Sequence, residues 1–191
     1  MEGYKFDPRK LEHLNNPERL KDIPPWYIWQ KLEADSSDTV IDLGAGTGFY
    51  SKQFAGMADV DKVYALDISE EMIAYMNQEV APGNPSVIPL KMDESAIPLQ
   101  GNLADIVVMI NLHHEFHDPM ALLGECRRVL KPAGKVAIVD WKKAHTDHGP
   151  PVKKRYQAEQ IAGQLKKASF EAIEIYQELP SHYLVVAKNS S

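Results

Sequence analysis

Residues Val40-Ile41-Asp42-Leu43-Gly44-Ala45-Gly46-Thr47-Gly48-Phe49-Tyr50 carry an apolar run straight into three alternating glycines and then into a helix-compatible stretch. This segment restricts the fold more than any other in the chain. Glycine lets the backbone turn sharply and approach a ligand without a Cβ clash. A helix N-terminus behind such a turn presents N–H groups that no intrahelical acceptor uses. A tight strand-to-helix turn needs glycine for the same steric reason, so the loop alone leaves a purely structural role open.

The context is repetitive. Thr39–Leu43, Lys62–Leu66, Val87–Leu90, Asp105–Ile110 and Lys135–Asp140 read as strands, with helix-length segments between them. That alternation implies crossover units and a mainly parallel sheet with helices on both faces. Ser69 followed by Glu70 and Glu71 marks one helix start, with Met72, Tyr75, Met76 and Val80 as its apolar stripe; Asp118-Pro119 marks another, with Leu122, Cys126, Val129 and Leu130 on one face. Lys131-Pro132-Ala133-Gly134 is expected to stop that second helix. Pro89 lacks a ladder donor, so its strand belongs at a sheet edge. Near the end, Tyr156–Ser169 reads as a helix, and Glu171–Gln177 and Tyr183–Lys188 as strands too close together for a helical crossover, hence an antiparallel hairpin.

Three acids fall at the ends of successive strands. Asp42 precedes the glycines, Asp67 lies nineteen residues beyond Gly48, and Asp93 follows the third strand. In open α/β sheets the carboxyl edge is where ligands bind, and an acid after the second strand accepts from ribose hydroxyls. Dinucleotide folds favour G-x-G-x-x-G, whereas Gly48 here is followed by Phe49, which counts against a nicotinamide enzyme.

With these residues in place, the chain resembles the class I S-adenosylmethionine-dependent methyltransferases over roughly residues 39–188. The resemblance rests on Asp42-Leu43-Gly44-Ala45-Gly46-Thr47-Gly48, Asp67, Asp93 with Glu94, Ala104-Asp105-Ile106-Val107-Val108, and Leu130-Lys131-Pro132-Ala133-Gly134-Lys135. It implies a Rossmann-like, doubly wound, seven-stranded α/β sheet of order 3-2-1-4-5-7-6, whose third strand is an edge. It also implies S-adenosyl-L-methionine as cofactor and S-adenosyl-L-homocysteine as product. By motif position, Gly44, Ala45, Gly46 and Gly48 would pack on the methionine portion, Asp67 would bind the ribose, and Ile68 and Asp93, with Glu94 beside it, would meet the adenine. Asp42 would orient the loop or the cofactor's amino group, and Asn111 would line the methionine side near the acceptor.

Methyl transfer from a sulfonium is an in-line displacement that depends first on alignment. A base is required only where the acceptor must lose a proton. Five of the seven histidines lie between Asn111 and His148, and His114 followed by His117 are the first to test as that base. The same histidines, with Glu115, also match the ligand types of a metal site or an ordinary structural role. The sequence lacks an Asn/Asp-Pro-Pro-aromatic segment after the fourth strand and has no cysteine cluster, which disfavours nucleobase and arsenite-type acceptors. Asn111 and Trp141 stand where a magnesium site would want acids. Lys142, Lys143, Lys153, Lys154 and Arg155 make the segment after the fifth strand basic, which reads as a solvated loop or a feature for an anionic substrate.

Composition narrows the class further. The chain has 191 residues, a formal charge of −6 and one cysteine. It is too short for two ordinary domains and lacks a broad basic footprint for nucleic acid. It shows no apolar run of membrane-spanning length and fits a reducing compartment, so a cytoplasmic monomer or homodimer is expected. Residues 1–38 are expected to form an arm and one helix serving as part of a lid through Phe6, Trp26 and Tyr27, together with Gly149-Pro150-Pro151; residues 39–191 form the methyltransferase domain. The function expected is methyl transfer to a small-molecule nucleophile. The alternative on the same fold is a cofactor-binding regulator or partner subunit without turnover.

Overall fold

The computed structural model describes residues 8–34, 38–57, 60–146 and 148–190. Seven strands run β1 Asp38–Leu43, β2 Val60–Asp67, β3 Val87–Lys91, β4 Ala104–Ile110, β5 Leu130–Trp141, β6 Phe170–Tyr176 and β7 His182–Asn189. They form one sheet of order β3-β2-β1-β4-β5-β7-β6, as the family resemblance implied. Strands β1 to β5 pair in parallel, and β7 is antiparallel to both β5 and β6. Pro89 lies in edge strand β3, where its missing N–H costs no ladder bond.

Helices cover both faces. Helices α6 (Pro119–Val129) and α7 (Ala158–Lys167) pack on one side, where Leu122, Leu123, Cys126, Ile161 and Leu165 bury against Ile41, Val107 and Ile138. Helices α3 (Pro25–Leu32), α4 (Phe49–Ala55) and α5 (Glu70–Tyr75) cover the other, with Ile28, Leu32, Phe54 and Met76 against Val40, Val63 and Val108. Cys126 is fully buried among apolar neighbours, which pushes its thiol well above the ordinary range and leaves it inert.

The expected caps are in place. Ser69 Oγ accepts from Met72 N, and Asp118 Oδ1 accepts from Met120 N and Ala121 N. Two departures have local causes. Helix α5 widens into a π-turn over Met76–Val80, which keeps Met76 and Val80 buried. Strand β5 begins at Leu130, before the expected Lys135. Leu130 pairs with Ala104, the register then jumps to Lys135 opposite Ile106, and the intervening Lys-Pro-Ala-Gly forms a bulge with Ala133 at φ 66°. Leu130 is buried, so the chain enters the sheet immediately after the helix and absorbs the turn as a bulge.

The N-terminal segment adds α1 (Pro8–Leu14) and α2 (Arg19–Asp22) to α3. Asn15 ties it to the glycine loop by accepting from Thr47 Oγ1 at 2.9 Å, and Tyr50 Oη donates to Arg19 O at 3.1 Å. Trp26 points outward and is 64% exposed, while Tyr27 Oη donates to Glu178. Phe6 lies outside the described residues.

Candidate active site

The three glycines adopt φ values of +67°, +57° and +72°, the left-handed region that side chains resist. A Cβ on Gly44 would lie 2.4 Å from Leu112 Cδ1, and one on Gly48 would lie 3.1 Å from Met76. At Gly46 the nearest atom to such a Cβ is a Leu14 methyl at 3.8 Å, an ordinary contact, so this glycine is not crowded. Much of the loop's donor capacity is already used, because Ala45 N donates to Leu66 O, Gly48 N to Ala45 O, and Gly46 N to Asp67 Oδ2 at 2.8 Å. Asp67 Oδ1 accepts from Ser69 N at 2.9 Å. One carboxylate thus joins the end of β2 to the loop after β1.

A cavity of about 610 Å³ opens beside this loop and brings together Asp42, Gly44, Ala45, Gly46, Asn111 and His114. Residues His13 to Ile23 of the N-terminal segment contribute one wall, and His148, Gly149 and Pro150 contribute another; Trp26 and Tyr27 do not line it. Gly48, Asp67, Ile68, Asp93, Glu94 and His117 also stand outside its lining. Ile68 is 59% exposed beside Asp67, and Asp93 forms an isolated bridge with Ala96. His117, expected beside the acceptor, stands on the surface. Its side chain is 93% exposed and its Nδ1 meets Glu94 Oε1 on the surface, because the short helical turn His113–Glu115 leads the chain away from the cavity. His113 is structural, with Nε2 2.7 Å from Gln164 Oε1 and its ring edge-on to Tyr156.

Of His113, His114 and His117, His114 is the one that lines the cavity. Its Nδ1 lies 2.7 Å from Asp140 Oδ1, its backbone N donates to Asp140 Oδ2 at 3.0 Å, and Nε2 is 3.2 Å from Glu115 Oε1. The side chains of His114 and Asp140 are both nearly inaccessible, at 4% and 2%. Burial alone would depress the imidazole; hydrogen bonding and charge from Asp140, with Glu115 adding, outweigh it and raise the histidine above its ordinary 6.5. Asp140 is the penultimate residue of β5 and also accepts from Trp141 N. Sequence reasoning ended the fifth strand at Asp140, beside the acceptor, but gave this acid no role of its own.

In the basic segment, Lys143, Lys153 and Lys154 are exposed, as a solvated loop requires, whereas Arg155 and Lys142 are tied down. Arg155 is buried at 3% exposure, stacks 5.1 Å from the Trp141 ring, and donates to the carbonyls of Lys142, Ala144, His148 and Pro150 and to Thr146 Oγ1. Lys142 Nζ donates to Gln177 O and Leu179 O. Arg155 thus holds the loop that forms the cavity wall, Lys142 ties the end of β5 to the segment between β6 and β7, and neither lines the cavity. The lining carries the carboxylates of Glu18, Asp22, Asp42 and Glu115 instead, with Arg19 as its one arginine among the described residues.

A family model described as a methyltransferase domain matches residues 41–138. A crystal structure of an S-adenosylmethionine-dependent methyltransferase from Aquifex aeolicus superposes with a TM-score of 0.88 at 34% identity, covering 97% of this chain and 100% of that one. This chain belongs to the class I S-adenosylmethionine-dependent methyltransferases. Among curated relatives, the ubiquinone/menaquinone biosynthesis C-methyltransferase UbiE of Paraburkholderia phytofirmans is 35% identical over 119 residues, 61% of this chain and 47% of that protein. This chain thus spans about half the length of that relative. The methyltransferase YdaC of Bacillus subtilis is 27% identical over 150 residues, 78% of this chain and 80% of its own.

The site fits the family's cofactor on its own geometry. Asn111 Oδ1 is buried in the cavity lining with no partner among the described residues, and its backbone is held at φ 56° by the turn after β4. Gly46 leaves room, and Ile68 offers an uncovered apolar surface beside Asp67. Among the described residues no helix is long and apolar enough to cross a membrane.

Asp42 is the most perturbed acid of the site. Burial pushes it up to about 7, a hydrogen bond from Ser51 Oγ at 2.6 Å opposes this, the charge of Asp67 adds to it, and Arg19 offsets part. A native acid raised from 3.8 to about 7 keeps its proton where the unfolded chain has lost it, so its contribution to stability falls as pH rises through that window. The ligand-free Asp42→Asn variant is therefore expected to be more stable than wild type at pH 8, by on the order of 4 kcal/mol. The gap should open between about pH 4 and pH 7 and stay constant above. Urea titrations at four pH values check this; a pH-independent gap refutes it.

Proposed function

We propose that this methyltransferase acts on a small molecule whose reacting group must give up a proton, and that His114, held by Asp140, takes it. The observation that carries this reading is the His114–Asp140 pair in the wall of the cavity that also contains the glycine loop. Asp140 is an acceptor at Nδ1, so the neutral ring carries its proton there and leaves Nε2 as the basic atom. Glu115, 3.2 Å from Nε2, then stabilises the imidazolium once the proton has moved.

S-adenosylmethionine supplies an electrophilic methyl group when bound. The residues assigned to hold it are Asp42, Gly44, Ala45, Gly46, Gly48 and Asn111 for the methionine portion, Asp67 for the ribose, and Ile68, Asp93 and Glu94 for the adenine. The protein's contribution is to align the acceptor for in-line displacement, to exclude water and to receive the proton. The acid-rich lining disfavours an anionic acceptor. UbiE proteins are named for C-methylation in ubiquinone and menaquinone biosynthesis, and an uncharged hydroxylated ring fits both that likeness and the base.

The test is release of S-adenosylhomocysteine with hydroquinones, phenols, amines and thiols under anaerobic conditions. Multiple turnovers with hydroxylated rings, and none with their fully methylated ethers, are expected. Equal turnover with acceptors that have no removable proton would overturn the reading.

A further inference from the structure

His182 opens β7 and lines the same cavity, yet no motif pointed to it. It is 2% exposed, and neither Nδ1 nor Nε2 has a hydrogen-bond partner among the described residues. Its surroundings are otherwise well satisfied: Asp140 accepts from His114 and Trp141, and the Arg155 guanidinium is filled by the loop. A buried polar atom without a partner is costly, and an apolar ring would fill the slot without that cost. The ring is also held in place, because it packs at 4.1 Å on Trp141, its register partner in β5.

The sheet orders the site. The glycine loop follows β1, Asn111 and His114 follow β4, Asp140 and Trp141 end β5, and His182 begins β7. Three strand spacings separate β1 from β7, roughly 14 Å at about 4.8 Å each. His182 therefore sits beyond the base as seen from the cofactor loop, at the far end of the acceptor region. Burial first, with the nearby His148 and Arg155 adding and Asp140 opposing, pushes it down to about 4, so the imidazole is neutral near pH 7. A neutral imidazole offers one donor and one acceptor. The complementary group is a hydroxyl, which offers the same pair, and the acid-rich lining favours an uncharged molecule to carry it.

We propose that His182 is an acceptor-binding residue that hydrogen-bonds a ring hydroxyl of the substrate at the end of the cavity remote from the cofactor. The proposal rests on the methyltransferase reading and deepens it: the acceptor carries at least one hydroxyl besides the position that reacts. His182→Phe keeps the ring packed on Trp141 and removes both nitrogens.

The experiment uses the full chain saturated with S-adenosylhomocysteine and titrated anaerobically with 1,4-dihydroxynaphthalene, 1,4-dihydroxybenzene and 1,4-dimethoxynaphthalene. Calorimetry is paired with ¹⁵N spectra of the histidine side chains. The two diols should bind and shift the His182 resonances, identified by their loss in His182→Phe; the dimethyl ether should bind at least about tenfold more weakly. His182→Phe should lose about tenfold in diol affinity while binding S-adenosylhomocysteine like wild type and melting no lower. Equal diol affinity in wild type and variant overturns the proposal, as does failure of both diols to bind the loaded protein, with the cofactor assignment intact. Failure to bind S-adenosylhomocysteine removes both readings together. A lower melting temperature with unchanged diol binding assigns His182 to packing alone.

Discussion

His114→Ala is expected to lower turnover by about 10²–10⁴-fold while leaving the affinity for S-adenosylhomocysteine within about twofold of wild type. The range is what a positioned general base contributes, and the asymmetry follows from geometry. His114 lies after β4 against the end of β5, whereas the loop proposed to hold the cofactor follows β1. Asp140→Asn should cost nearly as much, because an amide no longer requires the proton on Nδ1 and Nε2 loses its place as the basic atom. The pH profile separates a base from a spacer. His114 is raised above 6.5, so its neutral, competent fraction grows with pH through that region and the rate should climb with it. In Asp140→Asn the strongest influence raising the imidazole is gone, burial dominates, and the limb should move to lower pH. Melting temperature is the control, since Asp140 also accepts from the backbone N of His114 and Trp141. If Asp140→Asn is folded and its limb stands where the wild-type limb stands, His114 is not the base.

The parts of this site that were legible in the sequence are those written by local rules. A glycine required at positive φ, Pro89 at an edge, and Ser69 and Asp118 at helix starts each follow from backbone sterics or a short-range hydrogen bond. The parts that were not legible depend on residues far apart in sequence. His114 and Asp140 are 26 positions apart and meet because β4 and β5 are neighbours; that pairing needed the strand-end rule to be applied a fourth time. His182 was beyond any local pattern, since it faces Trp141 only through the antiparallel return of β7. Arg155 shows the same limit in another form. A run of basic residues reads as a solvated surface, yet a guanidinium has enough donors to satisfy a whole loop from within, and here five acceptors surround it. His117 stands on the surface beyond the short helical turn His113–Glu115 and pairs with Glu94, a contact across 23 positions that no local pattern signals.

Asp67→Ala is expected to weaken S-adenosylhomocysteine binding by about 100-fold, the equivalent of two charge-assisted hydrogen bonds to ribose at about 1.5 kcal/mol each. The carboxylate already accepts from Gly46 N and Ser69 N, and each oxygen keeps a further lone pair for a ligand hydroxyl. That double duty creates a second route to the same loss: alanine also frees the glycine loop from β2 and lowers stability by about 1–2 kcal/mol. The two routes are told apart by the ligand. Against 2′-deoxy-S-adenosylhomocysteine, the wild-type protein should bind markedly more weakly than against the parent compound, whereas Asp67→Ala should no longer distinguish them. Asp67→Asn keeps an oxygen for Gly46 N and should recover most of the stability without the affinity. A variant that still discriminates between the two nucleosides while losing affinity for both assigns Asp67 to the loop and leaves the ribose hydroxyls to another residue.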